Sequence, residues 1–447
     1  MDGAVVEDKQ TLRAAFERFV AARAAGEPAW LRERRTAGFA AFARKGLPGP
    51  RDEGWRHTPT ADLTRTRFEP ADSLAEAEET SLALVPHEPR GPEIVFVNGR
   101  FAPALSRLSP AQGVEVLSLS QALRSRPAAL QPHLGRVLAE PAEAFADLNL
   151  AFAEDGAVVS VAPGAEVEEP VHVVHVSAPS PAASTLAYLH TLVLAGRGSD
   201  SRIVESFVGP PAGAYLLNAV TEVALEDGAR VDHCKLQQEG GEGLHVATLA
   251  ARLGRDARFV DHAVSLGAQL SRNDIQVLFD GEGGEVVLDG LFALDGQRTG
   301  DTHSRVDHAR PHCTSRQLYK GIVDERGRGV FNGLVIVRPG AQKTDAVQTN
   351  RNLLLSRQAL VHSTPQLSIL ADDVKCKHGS TTGQLDPTAL FYLRSRGIGE
   401  PAARSLLTWA FAGDVLRGVS VPSVRRAAEH HLQAHLPGAA EVQEALS

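Results

Sequence analysis

A thiol and an imidazole stand two residues apart at Cys376 and His378, inside the run DDVKCKHG at residues 372–379. On an extended strand, residues i and i+2 project from one face, so the pair would point to one side. Thiolate sulfur and imidazole nitrogen suit iron, iron–sulfur clusters or zinc. Two protein ligands do not complete a tetrahedral site. A metal held by Cys376 and His378 would therefore need further ligands, for instance from a partner chain. Taken alone, the C-x-H pair also fits a packed cysteine beside a surface histidine.

Other residues suggest metal chemistry with less support. Val-Asp-His occurs three times, beginning at Val231, Val260 and Val306. On stacked coils these triplets are expected at equivalent positions, where a repeated surface side chain needs no ligand. Cys234 and Cys313, beside His233 and His312, read as packed structural residues. His431 and His435 have zinc-ligand spacing on an expected helix, but the glutamate of H-E-x-x-H is missing, and a solvated helix face accounts for them.

Motifs of common enzymes are absent. There is no G-x-x-x-x-G-K-[ST] phosphate loop, so ATP hydrolysis by this chain is not expected, and no G-x-G-x-x-G in a βαβ setting. Gly379 to Gly383 reads GSTTG, with its serine misplaced for a G-x-S-x-G elbow. A β-helix polysaccharide lyase or hydrolase is the rival class. It needs a tight carboxylate group, and only scattered Asp289, Asp301 and Asp307 are on offer. Activity of the isolated chain on acidic polysaccharides would reveal that class.

Lysine and arginine total 46 against 54 acidic residues, and no basic run carries interleaved aromatics, so a nucleic-acid partner is not expected. No run of 18 apolar residues predicts a membrane span. The first ten residues are acidic, without the apolar core of a signal peptide. Three widely spaced cysteines make no disulfide framework, and a reducing cytoplasm is the natural setting.

The elements that must position the C-x-H pair fall into three sections: 1–156 mainly helical with a linker and a short hairpin, 157–371 a β core, and 372–447 helical. Leu12, Phe16, Phe19 and Val20 share one helix face, and a second helix carries Trp30, Phe39 and Phe42 and stops at Gly46. Residues 69–92 read as a mobile linker, and Asn98-Gly99 as a hairpin turn. From Ala157 short apolar runs alternate with turns, and Gly198, Gly228, Gly254 and Gly284 mark a period of 26 to 30 residues. Short strands at such a period predict stacked coils, a parallel β-helix. Periodicity leaves a β-sandwich as the alternative. The run 353–370 is expected to leave a terminal edge exposed, with Leu367 and Ile369 on it. Asp386-Pro387 caps a helix closed by Gly397, a second helix spans 400–417 with Leu406, Leu407, Phe411 and Leu416, and a third begins at Pro422 with Val424, Ala428, Leu432 and Leu436 on one stripe.

Residues 317–418 resemble the SufB/SufD family. The matching runs are QLYKG at 317–321, RGVFNG at 328–333, GAQKTDA at 340–346, NLLLS at 352–356, DDVKCKHG at 372–379, LD at 385–386 and FYLRSRGI at 391–398. Upstream, EGWRHT at 53–58 is similar to the family's E-x-W-R-Y-T element, with His57 where tyrosine is usual, and FVNGR at 96–100 also matches. The C-x-H-G-x-T-x-G pattern is similar to the SufD form; SufB members carry glutamates near this histidine. The resemblance implies a right-handed parallel β-helix between helical regions, and a non-catalytic scaffold role in iron–sulfur cluster assembly. It implies SufB as heterodimer partner through a β-helix end, where Leu367 and Ile369 would lie, and the ABC-type ATPase SufC docked on the helix bearing Leu406, Leu407, Phe411 and Leu416. His378 and Cys376 would then meet iron or a nascent cluster at the SufB interface. Some such complexes also bind reduced flavin, so flavin in the complex stays open although no residues of this sequence point to its site; the isolated chain is expected to hold no tightly bound cofactor. A SufB-like cluster carrier, and a homodimer in isolation, stay open as alternatives.

Overall fold

The structure is a computed structural model that describes residues 9–24, 26–66, 68–70, 85, 90–109, 111–138, 143–179 and 184–434. His435, Leu436 and most of the expected linker at 69–92 lie outside these residues.

From Ala157 onward the chain alternates between two ten-stranded sheets. One runs from Leu360–Ile369 back through Arg328–Val337, Thr299–His308, Leu270–Phe279, Gly243–Leu253, Tyr215–Leu225 and Ser184–Ala195 to Ala157–Val161 and Val114–Ser118, with Phe68–Pro70 paired to Ser184–Ala195 as its tenth strand. The other runs from Lys375–Gly383 through Asp345–Leu354, Thr314–Val323, Glu285–Leu294, Arg258–Ser265, Arg230–Gln238, Asp200–Val208 and Val171–Val176 to Glu93–Val97 and Arg100–Phe101. Along the coils the strands pair in parallel with the strand one coil away, as in Arg258↔Glu285, Glu285↔Thr314 and Thr314↔Asp345; Arg100–Phe101 on Glu93–Val97 and Val114–Ser118 on Ala157–Val161 pair antiparallel at the N-terminal end. This is the expected parallel β-helix, of about 7 turns, in a chain that is 43% strand and 25% helix. Val, Leu, Ile and Phe fill its interior, among them Val159, Val173, Val223, Phe259, Phe279, Val306 and Phe331. No coil could bury that face alone, which is why the coils stack.

One corner of every coil repeats a left-handed residue. Gly164, Gly198, Gly228, Asp256, Gly283, His312 and Lys343 all have φ between 54° and 73°. Each donates its N–H to the coil above, from Gly164 N to Arg197 O through to Lys343 N to Asp373 O. Gly198 and Gly228 were legible as turn glycines, whereas Gly254 and Gly284 flank the corner without occupying it. The period blurs because Asp256, His312 and Lys343 tolerate a conformation glycine usually takes.

At the N-terminal end, the helices Lys9–Arg23, Ala29–Lys45 and Ala144–Phe152 share a core in which Phe16 stacks on Phe39 at 4.3 Å. Asn149 fixes the last of these to the sheet, donating to the carbonyls of Leu189 and Asn218. The Trp55 element is pinned farther along: the Arg272 guanidinium lies 4.6 Å over the Trp55 ring and donates to Gly54 O, while Thr58 Oγ1 donates to Asp301. Asn98 and Gly99, both at positive φ, make the expected hairpin turn.

At the C-terminal end, Asp386 accepts from Thr388 N and caps Pro387–Ser395, and Gly397 follows that helix at φ 89°. Helices Glu400–Leu416 and Pro422–Ala434 cover an apolar face of one sheet made by Val204, Cys234, Leu236, Val264, Leu291 and Ile322. The helical layer therefore begins at Pro387 and not at 372, because Lys375–Gly383 is the final strand of the β-helix. Its sequence, KCKHGSTTG, has no apolar alternation to signal a strand. At the other end, Glu93–Val97 and Val114–Ser118 already belong to the two sheets ahead of residue 157. The run 353–370 likewise divides: Leu353 ends one strand, and Leu360–Ile369 is the edge of the other sheet.

Candidate functional site

Cys376 and His378 lie on Lys375–Gly383, which pairs on one side with Asp345–Leu354 and ends its sheet. The register sets Cys376 against Ala346, His378 against Gln348 and Ser380 against Asn350. Those three partners are buried, so Cys376, His378 and Ser380 continue interior columns of the β-helix. Below His378 the column holds Gln348 and Gln317, joined by an amide hydrogen bond of 3.4 Å. Among the described residues no coil closes this end, so His378 is exposed. Cys376 is half-buried against Val335, Val337, Ala341, Ala346 and Ala371. Burial pushes its thiol up, the Ala346 N–H opposes that, and Asp345 adds to it. The sulfur keeps its proton at neutral pH until a metal displaces it.

The other terminal strand, Leu360–Ile369, contributes to the same end. Ser363 Oγ accepts from Ser380 Oγ at 2.8 Å and donates to Asn350 Oδ1 at 2.7 Å. His362 stacks on His57 with centroids 3.9 Å apart, the place where tyrosine is usual. Leu360 N donates to Gly327 O and Leu370 N to Val337 O. By alternation, the N–H groups of Leu367 and Ile369 face away from the sheet. Pro365 shares that parity, so the donor it lacks is one the sheet does not use. Leu367 is half-buried and Ile369 is 40% exposed. The two edges and the C-x-H pair thus converge on one end.

The residues expected to dock a partner at the C-terminus fare differently. Leu406 and Leu407 are half-buried, Phe411 packs beside Lys320, and Leu416, 1% exposed, belongs to the chain's own core. His431 is half-buried and hydrogen-bonded to Gln238 at 3.2 Å, which is not a solvated face.

The Val-Asp-His triplets are not equivalent. His233 pairs in register with Asp261 and Cys234 with His262, a one-residue offset that turns the two histidines to opposite faces, and Val306 is on the other sheet. His233 points inward, between Asp261 at 2.7 Å and Glu205 at 3.1 Å. His262 points outward, and with Asp232 and Cys234 it makes the one group of three metal-capable side chains among the described residues. The triplets and Cys234 were weak candidates one by one; that they meet depends on inter-coil register, which no spacing in the chain reveals. All three cysteines are free.

The acidic residues a lyase would need stand apart. Asp301 is locked by Arg272 at 2.6 Å; burial raises its pKa, but Arg272, His303 and Thr58 bring it down to about 2. Asp307 pairs with Arg338 at 2.8 Å, and Asp289 faces His262.

Two family profiles match consecutive parts of the chain: SufBD protein N-terminal region at residues 6–173, and SUF system FeS cluster assembly, SufBD core domain, at 177–411. The chain belongs to the SufBD family. It is 34% identical over 391 residues to an iron–sulfur cluster assembly SufBD family protein of Synechocystis sp., covering 85% of each chain. It is 32% identical to the iron–sulfur cluster assembly protein SufD of Escherichia coli over 89% of this chain and 91% of that one. The SufD of Bacillus subtilis is 27% identical over 90% and 92%. SufBD membership supports a role in iron–sulfur cluster assembly and fits a scaffold better than a conventional enzyme. No helix among the described residues is long and apolar enough to cross a membrane.

Proposed function

We propose that this chain is the SufD-type scaffold subunit of a cytoplasmic SUF complex. It pairs with SufB through its open β-helix end, docks SufC on the C-terminal helices, and takes ATP hydrolysis from SufC. The observation that carries this reading is the convergence of two unpaired strand edges with Cys376 and His378 at one end. Unpaired edge N–H and C=O groups favour strand pairing with a similar edge. Such pairing would bring a partner's ligands to a pair that is incomplete alone. A ring nitrogen of His378 would donate to the iron, and Cys376 would give up its proton on binding. Iron or a nascent cluster is cargo here, held between chains and passed on. For SufC the partly exposed Leu406 and Leu407 are the contacts, with the buried Leu416 and the Lys320-bound Phe411 holding the helix in place.

Co-expression with SufB and SufC from one operon tests the reading. A purified complex of the three chains is expected, and a chain that purifies alone or as a homodimer in the presence of both would refute it.

A further inference from the structure

A second group of ligand atoms lies on the outer face of the β-helix, beneath the C-terminal helices. Parallel register stacks Cys234, His262 and Asp289 in one column, and Asp232 lies on the same face two residues before Cys234. The ligand atoms of Asp232, Cys234 and His262 are all within 4.8 Å of one another. Tetrahedral ligands at zinc-like bond lengths stand about 3.4–3.8 Å apart, so small side-chain adjustments would close the group on an ion.

Two further observations point to a ligand. His262 is 5% exposed, yet its Nδ1 has no hydrogen-bond partner, and neither has Asp232 Oδ1, which faces it at 3.9 Å. That distance is too long for a hydrogen bond, and orphaned buried polar atoms are costly. On its other side, His262 Nε2 faces Asp289 Oδ2 at 3.6 Å. A carboxylate behind the second ring nitrogen is the usual support of a metal-bound histidine. Cys234 is fully buried; burial pushes its thiol up, while the Ser420 side chain and the Val421 backbone beside it act the other way. Val415, Leu416, Val419 and Val421 pack in the same apolar cluster. Gly418 packs so closely that a Cβ there would stand 2.6 Å from His262 Nε2.

We propose that Asp232 Oδ1, Cys234 Sγ and His262 Nδ1 bind one divalent cation of the zinc type, with Asp289 orienting His262, and that the ion clamps the neighbouring strands Arg230–Gln238 and Arg258–Ser265 on the face that the C-terminal helices cover. The thiol proton leaves on binding, so the thiolate and carboxylate offset the charge of the ion. One coordination position stays open to water. The site is separate from Cys376 and His378 and needs no partner chain.

The test uses the full chain carrying Cys376→Ser and His378→Ala, stripped with a chelator and titrated with Zn2+ and, separately, Co2+. One equivalent of Co2+ is expected to bind with thiolate charge-transfer bands, and Zn2+ to displace it. Cys234→Ser and His262→Gln should each abolish the bands, and Asp289→Asn should weaken Zn2+ about 10–100-fold. Zn2+ should also slow hydrogen exchange at residues 230–238 and 258–265. Binding without thiolate bands, bands that survive Cys234→Ser or His262→Gln, or a folded parent that binds neither ion would overturn the proposal.

Discussion

Lys320 Nζ lies 2.6 Å from Asp414 Oδ2 and 2.7 Å from the Phe411 carbonyl oxygen, so strand Thr314–Val323 grips helix Glu400–Leu416 through an ammonium that is almost fully buried. The same ammonium sits 4.5 Å from the centre of the Phe411 ring. Its hydrogen bond holds Asp414 below the ordinary carboxylate range.

Removing one partner of this pair should therefore cost more than replacing the other. Asp414→Ala leaves the Lys320 charge buried with a single carbonyl, and should destabilise by about 2 kcal/mol, discounted for the exposure of Asp414. Lys320→Met removes the charge and keeps the stem's packing, and should cost about 1 kcal/mol or less. Urea unfolding of both variants checks the order; equal costs would show that the pair does not anchor the helix.

His308 gives the protein an acid sensitivity. It is fully buried, packs its ring at a 30° tilt on Phe279 and bonds Ser315 at 2.9 Å. Burial lowers its pKa to about 4 against the opposing charge of Asp307. The unfolded chain takes up that proton near pH 6.5. The neutral form thus favours folding fully above 6.5, and this contribution falls away as pH drops toward 4, by at most about 3 kcal/mol. His308→Gln should lose that part of the slope, so the stability gap between the native protein and the variant should narrow between pH 7 and pH 4.5. A gap constant across that range would contradict the assignment.

Proline at Leu367 or Ile369 should weaken pairing with SufB and leave the chain folded. Those N–H groups point off the sheet, and Pro365 is already accommodated in the same parity. Thermal unfolding of the isolated variants should shift little, while the heterodimer should dissociate more readily. Undiminished heterodimer stability would remove this edge from the interface.

Much of this was legible in the residues. Asp386, Pro387 and Gly397 marked a helix through capping chemistry that acts over two or three residues, Gly46 marked a helix end, and Asn98-Gly99 a hairpin turn. What stayed hidden depends on contacts between coils. Lys375–Gly383 is a strand because Asp345–Leu354 offers it an edge, not because its own polar residues ask for one. The corner column passes through Asp256, His312 and Lys343, so counting glycines lost it after Gly228. The Asp232, Cys234 and His262 group arises from a one-residue offset between Arg230–Gln238 and Arg258–Ser265 that no spacing in the chain reveals.

The central claim, that the open end serves cluster assembly through His378, is tested most directly by His378→Ala in the complete complex. His378 is exposed, so its removal should leave stability within about 0.5 kcal/mol of the native value, and the complex should assemble in normal yield. Maturation of a reporter iron–sulfur enzyme in cells that depend on this complex should then fail. A variant complex that assembles and matures the reporter at the native rate would contradict the account.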